Sequence, residues 1–188
     1  AIEDDIEESI LGGWRVYEDK DAIIETSEGK IHLRLRPDAA PNTAWNFRQL
    51  AEGGFYRDTI FHRVVPLTNK GFPFVIQGGD PTGTGSGSAG SWLPIEQSSL
   101  LHDFGVISMA RADDPDSAGC QFFLCLSREG TTRLDGQYCA FGETVSGDAV
   151  IKAIANTPIE NPQTGRPKDP PRIHVISMVP AAPRYPSR

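Results

Sequence analysis

Short apolar segments recur along most of the chain, and their length most limits the fold that it can adopt. Each has four to seven residues and is followed by a stretch rich in Gly, Pro, Asp or Ser. Segments of this length between turn-forming residues are typical of β-strands. The predicted strands are residues 22–27, 31–36, 60–65, 74–77, 105–110, 121–126, 137–141 and 173–179.

The first two segments predict a β-hairpin with one buried face. Residues 28–30 (EGK) separate them, and in residues 31–36 each apolar side chain is followed by His or Arg. Since successive side chains of a strand point to opposite faces, Ile31, Leu33 and Leu35 form the buried face.

Two segments instead have the period of a helix. In residues 41–54, Pro41 suits a first helical turn, Gly53-Gly54 provides the stop, and the apolar positions between them fall at helical spacing. Residues 147–155 form the second predicted helix. Many short strands with two helices predict a mainly β fold, a closed antiparallel barrel with helices covering its ends, because closure removes exposed strand edges.

The chain of 188 residues is long enough for one full core and too short for two ordinary domains. We therefore expect an N-terminal extension over residues 1–21, one domain over 22–179 and a Pro-rich tail over 180–188. The acidic residues 3–9 have too few apolar side chains to anchor themselves and predict a frayed helix or a tail.

Two internal segments are predicted to be irregular. Residues 157–172 contain many prolines, which prevent regular strand pairing. Residues 78–90 are rich in Gly, Thr and Ser but lack the Lys-Ser/Thr pair of a phosphate-binding loop, and no helix follows. They predict a flexible surface loop or, alternatively, a loop that borders a peptide groove.

Composition excludes several classes of function. A net charge of −7 without any Lys/Arg cluster argues against nucleic acid as a partner. No run approaches the roughly 18 apolar residues of a membrane span, so we expect a soluble protein with no membrane partner. Neither Ser86 nor Ser88 has Gly at the position two before it, so the G-x-S-x-G nucleophile elbow of a serine hydrolase is absent.

Cysteine and histidine spacing predicts neither a disulfide nor a metal site. Cys120, Cys125 and Cys139 form no CxxC pair and lie in or beside apolar runs, where free cysteines are usually buried. The four histidines are scattered, so no metal and no other cofactor is expected. Free cysteines favour a reducing compartment, and we expect a cytoplasmic location; a signal peptide removed before Ala1 is the alternative that the sequence leaves open.

The stretch FHRVVPLTNKGFPFVIQGGD at residues 61–80 carries polar residues among apolar ones. On a strand over residues 60–65, His62 and Arg63 point to opposite faces. With the core on the side of Ile60 and Val64, His62 is expected to be buried and hydrogen-bonded, as a lone histidine usually is. Arg63 then lies on the outer face, which Phe61 and Val65 share.

The next strand extends this outer face. By the same alternation Val75 and Gln77 share one face, so Arg63 and Gln77 predict a shallow apolar patch with two hydrogen-bonding groups, which is typical of a small binding site. The patch has a cation and an amide but neither a nucleophile nor a general base. It therefore suits a reaction that breaks no σ bond.

Several motifs in order resemble those of the cyclophilins, the cyclosporin-type peptidyl-prolyl cis-trans isomerases. They are FHRVVP, FVIQGGDPTGTG, GVISMARA, GCQFFLCL, LDGQYCAFGE and the VxGxxVIxxI pattern of residues 145–154. The resemblance covers roughly residues 22–179 and implies a closed eight-stranded antiparallel barrel capped by two α-helices.

The resemblance also implies the roles of individual residues. Arg63 matches the family's catalytic arginine, Gln77 its hydrogen-bonding glutamine, and Phe74 belongs to its proline pocket. The remaining positions implied to bind substrate or border the groove are Val75, Gly83, Ala110, Arg111, Ala112, Gly119, Gln121, Phe123, Leu134 and Tyr138.

The chain departs from the family pattern at positions around this groove. Val75 replaces a common Met, Arg111 a common Asn, Tyr138 the His of animal members and Arg133 a frequent Trp. Loss of the Trp indole predicts weak cyclosporin binding with isomerase chemistry intact. The LTNKGFP segment, residues 67–73, is longer than the usual connection and is expected to reshape one edge of the groove.

The resemblance thus implies an isomerase that accelerates rotation about Xaa-Pro bonds in proteins. Its expected partners are proline-containing peptides and flexible protein segments, and a monomer is expected. The alternative is a non-catalytic module of the same fold that only binds proline peptides. Against it stands the combination of Arg63, Gln77, Phe74 and Phe123, because a pure binder needs no donor for a transition state.

Overall fold

A computed structural model describes residues 19–181, which form one strongly curled, antiparallel sheet of nine strands with helices packed against it. The order of strands across the sheet is β3-β11-β1-β2-β8-β6-β7-β5-β4, and β9 pairs separately with β10. The strands are β1 (Lys20–Thr26), β2 (Gly29–Leu35), β3 (Thr59–Ile60), β4 (Arg63–Val65), β5 (Val75–Gly78), β6 (Val106–Met109), β7 (Phe122–Cys125), β8 (Ala140–Ser146), β9 (Ile159–Asn161), β10 (Arg166–Pro167) and β11 (Arg172–Pro180).

The mainly β prediction is confirmed, but the prediction of a closed eight-stranded barrel is wrong. The sheet is an open half-barrel, because the segment predicted as one strand over residues 60–65 is two strands, β3 and β4. Between them Phe61 donates its backbone N–H to Pro171 instead of to a sheet neighbour. As a result β3 pairs with β11 at one edge of the sheet and β4 with β5 at the other.

The same break overturns the predicted position of Phe61. Its side chain is fully buried in the main core with Val64, whereas Arg63 and Val65 are only partly buried. Strict alternation fails because the chain leaves the extended ladder at Phe61 and His62. The outer patch therefore contains Arg63 and Val65 but not Phe61.

The hairpin is confirmed and joins β1 to β2 through Ser27 and Glu28. The apolar side chains of β2 are buried, and its polar ones stay partly exposed. His32 and Arg34 flank the buried carboxylate of Asp21, with His32 Nε2 at 2.9 Å from Asp21 Oδ2. The polar face of β2 is thereby tied to β1.

Within residues 19–181 the α-helices are α1 (Pro41–Glu52), α2 (Arg128–Thr131) and α3 (Asp148–Ala155). The residue before α1, Ala40, has no side chain that could cap the helix, and Glu96 substitutes for it from a distant loop. Its carboxylate accepts the backbone N–H groups of Asn42 at 2.9 Å and Thr43 at 2.7 Å. Gly53 ends α1, as the sequence predicts. The short helix α2 was not predicted.

Two further predictions about strands need correction. Residues 157–172 are not wholly irregular, because β9 and β10 form a small hairpin that includes Pro167. A proline is tolerated in a short strand with a free edge, where its missing N–H removes no required bond. The strand predicted over residues 137–141 is β8, which begins at Ala140 and runs to Ser146.

Strand alternation divides the buried side chains into two clusters on opposite faces of the sheet. On β7, Phe122 and Leu124 belong to the main core under the helices, whereas Phe123 and Cys125 belong to a smaller outer cluster. On β5 the same alternation places Ile76 inward and Val75 outward. This outer cluster forms the base of the candidate site.

All three cysteines are free and buried, as predicted. Burial raises the pKa of the Cys120 thiol to about 11 and also raises the pKa of Cys125 and Cys139. The thiols are therefore uncharged at neutral pH and act as small apolar side chains. Within residues 19–181, no helix is long and apolar enough to cross a bilayer.

His62 is buried as predicted, but the predicted hydrogen bond is wrong. Neither ring nitrogen has a hydrogen-bonding partner among the described residues, although only 5% of the residue is exposed. Burial lowers the pKa of His62; the nearby Asp80 carboxylate opposes this shift, and Arg166 and Arg63 add to it. His62 is therefore neutral in the folded protein at pH 7.

We expect the free energy of unfolding to fall as the pH drops below about 6.5, and His62→Phe to weaken this dependence. A histidine with a lowered folded pKa takes up protons more readily when unfolded, so acid favours unfolding by about 1–2 kcal/mol per group at pH 5. Because the ring has no hydrogen bond to lose, Phe is expected to cost little at pH 7. Denaturant melts at pH 7 and pH 5 measure both effects.

The exposed His174 offers a matched control for this experiment. His174→Gln should keep the pH dependence of the wild type. An unchanged pH dependence in His62→Phe, or a loss of several kcal/mol at pH 7, would show that the imidazole is bonded and contradict the assignment.

Candidate active site

Most of the residues that the sequence predicts for the site line one groove of about 620 Å³ on the outer face of the sheet. Strand β4 supplies Arg63, β5 supplies Gln77, and the segment after β6 supplies the opposite side. The predicted residues that line it are Arg63, Phe74, Val75, Gln77, Ala110, Arg111, Ala112, Phe123, Leu134 and Tyr138. Asp113, Arg133 and Gln137 line it as well.

Strand register places the polar residues of the groove side by side. Arg63 is directly opposite Gln77 in the β4–β5 ladder, and Gln77 is opposite Phe123 in the β5–β7 ladder. Arg63 Nη1 donates to Gln77 Oε1 at 3.2 Å. Gln77 Nε2 in turn donates to Gln121 Oε1 at 3.1 Å. The cation and two amides form one chain of hydrogen bonds from β4 through β5 to the residue that precedes β7.

The orientation of these amides is fixed from the far end of the chain of hydrogen bonds. Gln121 Nε2 donates to the backbone carbonyls of Gly85 and Gly87, each at 3.0 Å. An amide nitrogen can only donate, so Gln121 must present its oxygen to Gln77, and Gln77 must present its oxygen to Arg63. The Gly-rich loop therefore determines which atom faces the guanidinium.

Residues 78–90, predicted as a flexible surface loop, are held together by the buried carboxylate of Asp80. It accepts the backbone N–H groups of Thr82, Gly85 and Gly87 and the Thr82 hydroxyl. Burial opposes ionisation of Asp80, but these hydrogen bonds lower its pKa on balance. The alternative interpretation, a loop beside a peptide groove, fits better, since Gly85 and Gly87 line a second groove next to Gln77.

Not every predicted residue lies in the main groove. Gln121 and Gly119 line the second groove, of about 270 Å³, which also borders Ala110 and Arg111. Gly83 lines neither groove. Its carbonyl accepts a hydrogen bond from Arg166 Nη1 at 2.7 Å, on the side of the loop that faces Ile60.

The apolar floor of the groove belongs to the outer cluster. It consists of four buried side chains, Phe74, Val75, Phe123 and Leu134. The ring of Tyr138 meets Phe123 edge to face, with centroids 5.7 Å apart. An apolar floor with a partly exposed aromatic wall fits a small, uncharged ring such as that of proline.

His102 supports the floor from below, which sequence reasoning missed. Its ring stacks on Phe123 at 6.0 Å, Nδ1 lies 2.9 Å from Asp135 Oδ1, and Nε2 lies 2.9 Å from the Ser108 hydroxyl. Arg128 in α2 pairs with the same carboxylate. The Arg128 hydrogen bond lowers the pKa of Asp135 well below its usual range, and burial lowers the pKa of His102.

Arg63 remains charged despite its partial burial. Burial lowers the pKa of its guanidinium, Tyr138 opposes this shift and the nearby Arg133 adds to it, but arginine does not lose its proton in proteins. In the described part of the chain Arg63 has no carboxylate partner, and its only side-chain hydrogen bond is the one to Gln77. Its remaining N–H donors are available to a ligand.

Comparison with known proteins shows the family. The family model for the cyclophilin type peptidyl-prolyl cis-trans isomerases matches residues 22–178, and the chain belongs to this family.

Two relatives with this activity in their names align over nearly their whole length. Peptidyl-prolyl cis-trans isomerase ppi1 of Schizosaccharomyces pombe is 42% identical over 155 residues, which cover 80% of this chain and 93% of the relative. A peptidyl-prolyl cis-trans isomerase of Synechococcus elongatus is 39% identical over 137 residues, covering 72% and 88%.

A solved structure agrees with the family assignment. The cyclophilin type isomerase of Cryptosporidium parvum, determined in the presence of the dipeptide Ala-Pro, superposes with a TM-score of 0.75. It is 32% identical in sequence, and the match covers 85% of this chain and 98% of that one.

Proposed function

We infer that this chain is a peptidyl-prolyl cis-trans isomerase that accelerates rotation about Xaa-Pro bonds in protein substrates. The observation that carries this inference is the pairing of Arg63 with Gln77 at the edge of an apolar pocket. The guanidinium is held in place and charged, yet most of its donors are unused. No nucleophile or base is required, because rotation breaks no σ bond.

We place the proline ring of the substrate on the floor formed by Phe74, Val75, Phe123 and Leu134. The residue before the proline lies along residues 110–112, a continuous stretch of chain that lines both grooves. With both sides of the bond held, the bond between them can turn. The Ala-Pro dipeptide in the structure of the Cryptosporidium relative supports a ligand of this kind.

Arg63 acts when the bond has twisted. The planar peptide gains its rigidity from resonance, which places the nitrogen lone pair in the C–N bond. Twisting by about 90° ends this resonance and leaves the lone pair on the proline nitrogen, where Arg63 can donate a hydrogen bond. Because this acceptor exists only in the transition state, the interaction raises turnover instead of merely tightening binding.

The hydrogen bond from Arg63 cannot by itself supply the stabilisation of the transition state that catalysis requires. The barrier to rotation is about 18–20 kcal/mol, and uncatalysed exchange takes tens to hundreds of seconds. Raising the rate by about five decades takes about 7 kcal/mol, whereas one hydrogen bond to a charged group contributes about 1.5–3 kcal/mol. The rest must come from the apolar pocket and the fixed backbone, which favour the twisted form of the substrate.

A non-catalytic module of the same fold is less well supported. Binding alone would be served by the apolar floor and the backbone of residues 110–112. It does not require a chain of hydrogen bonds that orients an amide toward an otherwise unpaired arginine.

Three further expectations stay predictions. Arg133 lies over the Phe74 ring at 4.9 Å, at the position where an indole is expected to favour cyclosporin, and we propose weak binding of that ligand. We also propose a monomer. The free, buried cysteines support the proposed cytoplasmic location.

Exchange spectroscopy by NMR on a short Ala-Pro-containing peptide tests the function directly. We expect cis/trans exchange to become faster than one per second when the protein is present at a few per cent of the peptide concentration. Peptide shifts that change on binding without any gain in exchange rate would identify a binding module and overturn the proposal.

A further inference from the structure

A third groove, of about 650 Å³, adjoins the proline pocket and is formed by the long connection between β4 and β5. We call it the loop groove. Leu67, Lys70 and Phe72 line one wall, and Glu129 and Gly130 of α2 line the other. Arg63, Phe74 and Arg133 line both this groove and the main one, so the two are continuous.

The wall formed by residues 67–73 has a defined shape. The backbone N–H of Thr68 donates to the Phe72 carbonyl at 2.7 Å, and that of Gly71 donates to the Thr68 carbonyl at 2.9 Å. This tight turn requires the φ of +80° that Gly71 adopts and that other residues rarely tolerate. The loop therefore holds Lys70 at the tip of a closed turn.

The loop is also anchored to the opposite wall. The Pro73 carbonyl accepts the Ser127 hydroxyl at 2.7 Å, and the backbone N–H of Leu126 donates to the Phe74 carbonyl at 2.8 Å. Gly130 approaches the Pro73 carbonyl so closely that any Cβ there would clash with it. The two walls are thus joined at their base.

The loop groove carries more positive than negative charge, in a chain whose net charge is −7. Its cations are Arg63, Lys70 and Arg133, and Glu129 is its single carboxylate. None of these four side chains forms an ion pair with another described residue. The Arg133 guanidinium lies over the Phe74 ring at 4.9 Å, and both residues line both grooves, so this charge lies at their boundary.

Two exposed apolar side chains complete the surface. Leu67 is 56% exposed and Phe72 is 41% exposed, and both face the loop groove. Such a surface can contact the backbone and methylene groups of a peptide, while the cations attract negatively charged groups on its side chains.

The course of the substrate assigns an occupant to this groove. Under the proposed function, the residue before the proline lies along residues 110–112, on the side of the main groove that adjoins the second groove. The loop groove opens on the other side, beyond Arg63 and Arg133. A peptide that continues from the proline pocket away from residues 110–112 therefore reaches the loop groove, which shares Arg63, Phe74 and Arg133 with the pocket.

We propose that the loop groove binds the substrate residues that follow the proline and favours a carboxylate side chain among them, which Lys70 and Arg133 contact. The proposal rests on the proposed isomerase function. It makes Lys70 and Arg133 specificity-determining residues, in addition to any part that Arg133 plays at the pocket.

Peptides that differ at single positions test the proposal. Acetylated Ala-Ala-Pro-Ala-Ala amides with Glu or Lys at the first or second position after the proline are compared by exchange spectroscopy at about 20 mM salt. We expect the Glu peptides to be isomerised about three to ten times more efficiently than the Lys peptides, because exposed charge pairs are modest in strength. The preference should shrink above about 0.5 M salt.

Charge-reversal variants locate the effect. Lys70→Glu should remove the Glu-over-Lys preference or reverse it. Lys30→Glu makes the same change in net charge at the far hairpin, where Lys30 pairs with Glu25, and should retain the preference. Equal preferences in these two variants would show a general charge effect and overturn the proposal.

Peptides with the charge before the proline are the second control. A Glu preference that is equal or larger at those positions would place the acidic subsite elsewhere and overturn the proposal. If no peptide is isomerised, the proposed function fails. NMR titration of the same peptides then still decides the binding preference, since tighter binding of the Glu peptides that Lys70→Glu abolishes would support the loop groove and its absence would overturn it.

Discussion

Replacing Arg63 with alanine is expected to lower kcat/KM for a proline peptide by about 10- to 150-fold and to leave the fold intact. The variant loses a charged hydrogen bond of about 1.5–3 kcal/mol that forms only in the transition state, and each 1.4 kcal/mol is worth about tenfold in rate. The loss should fall mainly on kcat, because the apolar pocket still holds the proline ring. Exchange spectroscopy at several peptide concentrations separates the two parameters.

Two companion variants sharpen this test. Arg63→Lys keeps the charge but loses the planar fork that bonds Gln77 and the substrate together, so an intermediate loss is expected. Arg172→Ala, at a 53% exposed side chain on a different strand, should behave as wild type. Near-normal catalysis by a folded Arg63→Ala protein would contradict the proposal that Arg63 stabilises the transition state.

Replacing Asp80 with alanine should weaken both the fold and catalysis, although Asp80 lines neither the main nor the second groove. The carboxylate is fully buried and organises three backbone N–H groups. Leaving these donors without an acceptor is expected to cost about 3 kcal/mol of unfolding free energy. Once the loop loosens, Gln121 loses the carbonyls of Gly85 and Gly87 that fix its amide.

The catalytic effect of this change should be recognisable. We expect about a tenfold fall in kcat with little change in KM, because the Gln77 amide no longer holds Arg63 in one position. Asp80→Asn keeps one oxygen acceptor, so its kcat and its free energy of unfolding should lie between those of the wild type and of Asp80→Ala. The exposed Asp169→Ala is the control, and full kcat in a folded Asp80→Ala protein would show that the Gly-rich loop does not position Arg63.

Local pattern was sufficient to predict the β1–β2 hairpin and both ends of α1. In each case the information lies within a few residues, such as the alternation of Ile31, Leu33 and Leu35 or the pairing of Pro41 with Gly53. Alternation also placed Val75 and Gln77 on one face correctly. It failed at Phe61, where contact with the distant Pro171 carbonyl bends the chain out of the ladder.

The residues of the site likewise divide into those that the sequence could predict and those that it could not. Arg63 and Gln77 could be proposed from alternation, whereas Phe74 and the pocket residues came from resemblance to a family. Neither route could predict the residues that support the site or cap α1 through long-range contacts. Glu96 at the start of α1, Asp80 within its loop and His102 under Phe123 all act through partners that folding brings together, and their sequence surroundings give no signal for those roles.

The paired ladder between β4 and β5 has a consequence for how this family can diversify. Arg63 lies opposite Gln77 and Val65 opposite Val75, so the strand register alone aligns Arg63 with Gln77. Residues can be added to or removed from that connection without moving Arg63, because the extra length projects from the end of a hairpin. If residues 67–73 carry the proposed preference, we expect that transplanting them into a relative with a shorter connection transfers the preference and leaves the isomerase activity of that relative unchanged.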